Sequence, residues 1–353
     1  MKCNLDCTYC GTGYNGGHDN STRHPPLAEC LASLDFMYQY VDLYMQRKIK
    51  SLRNVNLNVY GGEALHHPDI VAILQAARDK HQKYKDTWPL AITNTTNAIL
   101  ASRKLEQLIP LIDHFTVSYH SENLPQQKQQ FKDNVLLLKQ SGRSLKCVVL
   151  MHTEPELFAD AQLMVDWLRE NDIDTLPRQL DHPPHWPEFT YNAEQISWFK
   201  QLYQDKSHQT TVTLEPTADQ TDLVKVGRAC CGGRQICLDQ NFKQRSFFVD
   251  NKFTGWHCSV NWFFLYVKQV YGDVYVNKDC KMNFDGTVSP IGHLSNTAAI
   301  LDKLAHELET GTLPVIRCGK EQCWCGLCAP KAQDRKTYDN MIKKYQHNYN
   351  QNN

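Results

Sequence analysis

The sequence predicts an α/β protein in which a parallel sheet curls into a partial barrel, followed by a small cysteine-rich α+β domain. Three observations predict it. From about residue 25 to 182, strand-like and helical segments alternate, and strand starts recur about every 25–35 residues, the length of a βαβ unit. Two of those strands alternate apolar and polar residues, the pattern of a sheet with one wet face. Beyond residue 228 cysteine, glycine and aromatic residues become frequent and the βα rhythm stops.

The elements follow in order. After "HPP", Leu27, Leu31, Leu34, Tyr38, Val41 and Met45 step by three and four, one apolar face of a helix with a proline start. "NVNLNVY" (54–60) alternates as a strand, with Val55, Leu57 and Val59 opposite Asn56, Asn58 and Tyr60. A helix opens at Pro68, and further strands are expected at 89–94, 114–120, 145–152 and 175–180. A sheet covered on both faces reads as continuous apolar runs. Here Asn56 and Asn58, then His114, Thr116, Ser118 and His120, share one face, which suits an open barrel with a ligand-holding lumen. Thr93, Asn94, Ser118, His120 and Arg178 end strands, where barrel enzymes place their sites. The plainer reading is that they are polar strand ends meeting solvent.

We divide the chain into a barrel domain (1–182), a bridging segment (183–227), a cysteine-rich domain (228–330) and a polar tail (331–353). The bridge reads as a loop at "PPHWPEF" and a short helix at 192–206. In the third region "NWFFLYVKQVYGDVYVNKDC" reads as two strands turning at Gly272-Asp273, followed by a helix at 297–310. The tail reads as a helix that frays.

Composition narrows the function. The 353 residues are 41% hydrophobic and 22% charged with zero formal net charge, so no basic field draws in nucleic acid or an anionic membrane. No apolar run reaches membrane-spanning length and the first residues do not read as a signal peptide, so a cytoplasmic protein is expected. Two N-x-S/T sequons, at Asn20 and Asn94, are then coincidental. The outlier is fourteen cysteines. They cluster at Cys3, Cys7 and Cys10, and again from Cys230 to Cys328, which in a reducing compartment points to metal. Cys30 and Cys147 read as plain thiols. His66, His67, His182, His185 and His293 lack metal-ligand spacing, and Asp181, His182 and His185 read as a solvated loop rather than a base.

"CNLDCTYC" offers three thiols at C-x3-C-x2-C spacing, one short of a closed tetrahedral site. A cubane iron–sulfur cluster has four irons, so three cysteines leave one iron open. The bland alternative is half of a structural zinc site, completed by His18 or a distant cysteine. The letters around the cysteines resemble the cluster loop of the radical S-adenosylmethionine (SAM) superfamily, including Asn4-Leu5 and the aromatic Tyr9. "VYGGEAL", at the end of the next strand, resembles that family's Gly-Gly-Glu motif. The resemblance covers about the first 180 residues. It implies that Cys3, Cys7 and Cys10 bind a [4Fe–4S] cluster whose open iron is chelated by SAM. Reduction then cleaves SAM to methionine and a 5′-deoxyadenosyl radical that abstracts substrate hydrogen. Gly61 and Gly62 would admit SAM close to the backbone, Glu63 would help hold its ammonium, and Tyr9 would lie near the adenine. Asn94, Ser118 and Arg178 would line the pocket. An electron donor such as flavodoxin or ferredoxin is implied as a partner. The family has proline where Ala64 stands, and places a strand before the cysteine loop where this sequence has only Met1 and Lys2. Either the sequence is truncated, its start is misassigned or the barrel lacks a strand, and the expected fold is a partial (β/α)6 TIM-like barrel in which the first strand is missing from the given residues.

The second cysteine set resembles the SPASM and twitch extensions of radical SAM enzymes, which hold one or two auxiliary [4Fe–4S] clusters. Cys258, Cys280, Cys325 and Cys328 are the first choice for one cluster, and Cys231, Cys237, Cys318 and Cys323 for a second. A zinc-ribbon knuckle fits the ligand count equally well. The function implied is peptide or protein side-chain modification, or alcohol dehydrogenation of a small molecule. The competing class is a non-catalytic iron–sulfur or zinc protein, an electron carrier or scaffold.

Overall fold

The computed structural model describes residues 3–9, 24–46, 55–59, 62–180, 190–204, 226–229, 235–238, 244–248, 255–259, 267–270, 273–276, 292–310, 315–317 and 330–351. The chain falls into two compact units, Met1–Leu27 with Asn54–Gln209 and Ala28–Arg53 with Thr210–Asn353. Helix α1 (Leu27–Gln46), first in the expected βα series, clusters with the second unit.

In the first unit the elements are β1 (Val55–Val59), α2 (Ile70–His81), β2 (Leu90–Thr96), α3 (Ser102–Leu108), β3 (His114–His120), α4 (Pro125–Gln140), β4 (Ser144–Met151), α5 (Pro155–Glu170), β5 (Thr175–Gln179) and α6 (Ala193–Gln204). The sheet is wholly parallel, in the order β1-β2-β3-β4-β5. A doubly wound sheet reverses direction at a switch point. Strict sequence order, with each crossover of one hand, is the winding of a barrel wall.

Register assigns the two faces, because residues opposite one another in a parallel pair point the same way. Phe115, Val117 and Tyr119 of β3 are fully buried and pair with Leu145, Cys147 and Val149 of β4. Against this face pack the apolar stripes of the helices, among them Phe131, Val135 and Leu138 of α4 and Phe158, Val165 and Leu168 of α5. Fully burying one such side chain contributes about 1.5–3 kcal/mol. Cys147 is a plain buried thiol, its pKa pushed up to about 12 by burial and by the charge of Asp174. The other face carries Thr116, Ser118 and His120 at alternate, half-buried positions, as the alternation predicted.

One half-buried polar knot ties α4 and α5 to β3. The Tyr119 hydroxyl donates to Asp160 at 2.6 Å, and Lys128 Nζ meets the same carboxylate at 2.8 Å. Burial and the Asp160 charge push the Tyr119 pKa up strongly. Asp160→Ala leaves that hydroxyl without its acceptor at a half-buried site, so unfolding in urea is expected to show a loss of about 1 kcal/mol, against about 0.5 for Lys128→Ala, which removes only the ion pair. Helix α4 closes on Gly142, whose φ of +70° is the left-handed C′ position that glycine adopts without strain.

The second unit is antiparallel. Strands β6 (Val226–Ala229), β7 (Gln235–Leu238), β8 (Gln244–Phe248), β9 (His257–Cys258), β13 (Ile316–Arg317) and β14 (Lys331–Ala332) form one sheet in the order β13-β9-β14-β6-β7-β8. A second sheet joins β10 (Val267–Val270), β11 (Asp273–Val276) and β12 (Gly292–His293). The expected hairpin pairing is present, with Val270 opposite Asp273, but Asp273, expected in the turn, is the first residue of β11. Helix α7 (Thr297–Glu309) matches the expected one. The last segment is the expected helix, α8 (Arg335–Gln351), 17 residues long. Tyr338, Met341 and Ile342 give it a buried stripe that the surrounding Asn, Gln and Lys letters hid.

Candidate functional site

The site begins where β2, β3 and β4 end. Segment 3–9 lies against these C-terminal ends, held by side chains rather than by strand pairing. Thr8 donates to the Glu122 carboxylate from its backbone N–H at 3.0 Å and from its hydroxyl. Tyr9 is buried, with its hydroxyl 2.9 Å from His120 Nδ1 and its ring against His120 and His152. Cys7 Sγ lies 3.4 Å from the same His120 Nδ1. Burial lowers the His120 pKa to about 4, so its ring is neutral. His152 Nδ1 accepts the Glu154 N–H, which leaves its proton on Nε2, 3.7 Å from Glu122. Cys3 and Cys7 are half-buried thiols outside any disulfide.

Asn4 couples this loop to the second motif by two routes. Its Nδ2 donates to the Ile99 carbonyl at 3.0 Å, and that carbonyl also meets His66 Nε2 at 2.9 Å. Its Oδ1 accepts from Asn97 Nδ2 at 2.8 Å, while the Asn97 backbone N–H donates to Glu63 at 2.7 Å. The cysteine loop and the Gly-Gly-Glu turn are thus two hydrogen bonds apart. Between Asn97 and Ile99, Ala98 is fully buried with φ +55°, a left-handed conformation that costs a non-glycine residue about 1–2 kcal/mol. Thr96 Oγ1 accepts the Ala98 N–H and Asn97 Oδ1 accepts the Ile99 N–H, and together they hold the bend.

The expected site residues divide. Ser118 and Arg178 share the lumen-side face with His120, and Arg178 stands in one cross-strand row with Leu150 and His120. Gly62 is described and half-buried, whereas Gly61 and Cys10 lie outside the described residues. Asn94 does not line the lumen. It is in register with Phe115, so it points to the helix side, and its amide donates to Val59 O at 2.8 Å. Glu63 is turned inward. Its carboxylate is 1% exposed and accepts from Leu65 N, Thr96 Oγ1 and Asn97 N, so it braces the turn against β2 rather than presenting a charge to a ligand. Burial outweighs those donors and raises its pKa.

Sequence reasoning missed Asn97, Glu122 and His152. It ended β2 at Asn94, but Thr95 and Thr96 continue the strand, which puts Thr93 in the low row with His114 and Asn97 at the level of Ser118. The β-branched pair after Asn94 was the available signal. Ser121 Oγ and Asn123 Nδ2, buried beside Glu122, have no hydrogen-bond partner among the described residues. A polar ligand here would find donors and acceptors to spare. Of the loop's three thiols Cys3 and Cys7 are described, and among the described residues no three His, Cys, Asp or Glu side chains come together as a metal site; thiolates as such suit a thiophilic metal.

In the second unit Cys258 is fully buried on β9. Strand β13, ending one residue before Cys318, pairs with β9 on one side, and β14, starting at Lys331, pairs on the other. Cys237 lies on β7 in the same cross-strand row as Cys258, reached through Lys331 and Gly227. Three strand spacings separate them by about 14 Å, too far to share one cubane. Cys231, Cys280, Cys318, Cys323, Cys325 and Cys328 lie outside the described residues. Among the described residues no helix is long and apolar enough to cross a membrane.

The architecture defines the class first: an α/β chain with a sequentially wound, five-stranded parallel sheet and its polar cluster at the strand C-termini. Searches against protein-family profiles and against curated proteins find no match. Among solved structures, native anSMEcpe with bound AdoMet is similar, with TM-score 0.50 and 12% identity over 98% of this chain and 95% of that one. SuiB from Streptococcus suis bound to S-adenosylmethionine matches over 59% of this chain at TM-score 0.37 and 14% identity. This chain covers 46% of the SuiB chain. At such identities the likeness to anSMEcpe speaks for the fold.

Proposed function

We propose that the chain is a radical SAM enzyme. Cys3, Cys7 and Cys10 hold a [4Fe–4S] cluster and SAM takes its open iron. The observation that carries this reading is Asn4, which bonds both to Asn97, the partner of Glu63, and to Ile99 O, the partner of His66. An electron carrier has no use for a Gly-Gly-Glu turn docked on its cluster loop. When bound, the cluster and SAM supply a 5′-deoxyadenosyl radical, and the protein's share is to bind, orient and exclude water. Tyr9 and His152 close the lumen side of the loop, Glu122 fixes Thr8, and Ser121 and Asn123 keep hydrogen-bonding capacity for the cosubstrate. Ser118 and Arg178 face the space where substrate would sit. The bound AdoMet named for anSMEcpe, a chain of similar fold, agrees with this reading.

For the second unit the proposal is an auxiliary [4Fe–4S] cluster on Cys258, Cys280, Cys325 and Cys328, with a second on Cys231, Cys237, Cys318 and Cys323. The segment bearing the last four cysteines of the chain leaves from β13 and returns in β14, which supports its approach to Cys258. The substrate class is a peptide or protein side chain, or a small alcohol, with reducing equivalents from a flavodoxin or ferredoxin in the cytoplasm. Anaerobic reconstitution followed by SAM and dithionite is expected to yield 5′-deoxyadenosine. Iron analysis is expected to give about eight or about twelve irons per chain, for one or two auxiliary clusters. A reconstituted chain that holds zinc and leaves SAM intact refutes the proposal.

A further inference from the structure

We infer that His120 is a positioning residue for Cys7, its Nδ1–H donating to the Cys7 thiolate once that sulfur is a metal ligand. This deepens the cluster reading above and rests on it. One ring nitrogen, His120 Nδ1, lies within reach of two groups, Cys7 Sγ at 3.4 Å and Tyr9 Oη at 2.9 Å. A ring nitrogen either carries a proton and donates or keeps its lone pair and accepts. A metal-bound thiolate offers only lone pairs. An accepting Nδ1 would then face a lone pair with a lone pair, so the tautomer with its proton on Nδ1 is the one that fits. The Tyr9 hydroxyl both donates and accepts, so it tolerates that tautomer and shares the same N–H. His120 cannot swing away cheaply: β3 fixes its backbone in register with Leu150, and the Tyr9 ring lies nearly parallel to its own, 10° apart.

Hydrogen bonds donated to cluster sulfurs favour the reduced, more negative state, so this one raises the reduction potential. The test uses the full, anaerobically reconstituted chain, titrated electrochemically while the EPR signal that SAM perturbs is followed. His120→Phe keeps a ring and loses the N–H. It is expected to reduce the one-electron reduction equilibrium constant about tenfold, close to 59 mV more negative. His120→Asn, which restores an N–H donor, is expected to recover most of the shift. An unchanged potential in His120→Phe, with iron content equal to the unsubstituted chain, overturns the inference alone. A chain that takes up no iron before any substitution overturns the cluster reading and this inference with it. If His120→Phe retains no cluster, Tyr9→Phe decides. Removing the hydroxyl that shares the N–H leaves more of it for sulfur and is expected to shift the potential upward, and no upward shift overturns the inference.

Discussion

Cys7→Ala is expected to abolish reductive SAM cleavage, lowering 5′-deoxyadenosine formation by more than about 100-fold, the upper range reached by removing a mere outer-shell partner. It removes a thiolate from a loop that otherwise keeps its anchors, since Asn4 bonds to Ile99 just after β2, Thr8 to Glu122 just after β3 and Tyr9 to His120 of β3, none of them through the Cys7 sulfur. Iron should therefore fall by about four per chain, one cubane, while circular dichroism and the thermal transition change little. Iron on the proposed auxiliary site is expected to stay, because Cys258 belongs to the other unit. Equal 5′-deoxyadenosine from the variant would mean that Cys7 is no ligand. Cys30→Ala, on α1 and outside both cysteine sets, is the matched control and is expected to lose neither iron nor activity.

Glu63→Ala is expected to destabilise the first unit by about 3 kcal/mol. It deprives Leu65 N, Thr96 Oγ1 and Asn97 N of their acceptor in a buried site, at about 1–3 kcal/mol for each buried group left unsatisfied, offset in part by entering water. Asn97 also positions Asn4, so the cysteine loop should loosen as well, seen as faster amide exchange at residues 4–9. Glu63→Gln keeps the volume and one carbonyl oxygen and is expected to lose less. The pH dependence has a definite sign. Burial raises the Glu63 pKa above 4.5, so the folded chain holds this proton to higher pH than the unfolded chain does. The contribution is fully present below pH 4.5 and is lost as pH rises through the raised folded value. Denaturant unfolding of the unsubstituted chain should therefore weaken across that window relative to Glu63→Gln. Parallel curves for the two proteins would mean that burial does not govern this carboxyl.

Much of this was legible in the letters, for identifiable reasons. The strict alternation of "HFTVSYH" gave β3 its residues, its register faces and its wet side, because a period of two has only one solution when one face must be buried. Strand β2 was read short, since Asn94 resembles a strand end while Thr95 and Thr96 extend the ladder. That error of two residues hid Asn97, while the helix-side facing of Asn94 comes from its register with Phe115. Glu63 was legible as a conspicuous carboxylate but not as a buried brace, because its partners lie more than thirty residues away.

By itself the sequence determined the parallel α/β repeat, the three-thiol loop one ligand short of a closed site, and the second cysteine cluster. Periodicity and spacing are local properties, and local properties survive in a linear string. Only the tertiary structure decided that Asn4, Asn97 and Ile99 join the two motifs, that His120 serves both Cys7 and Tyr9, and that α8 buries a stripe. Those contacts link residues about a hundred positions apart, and which polar side chain finds which partner depends on strand register and on what burial leaves unsatisfied.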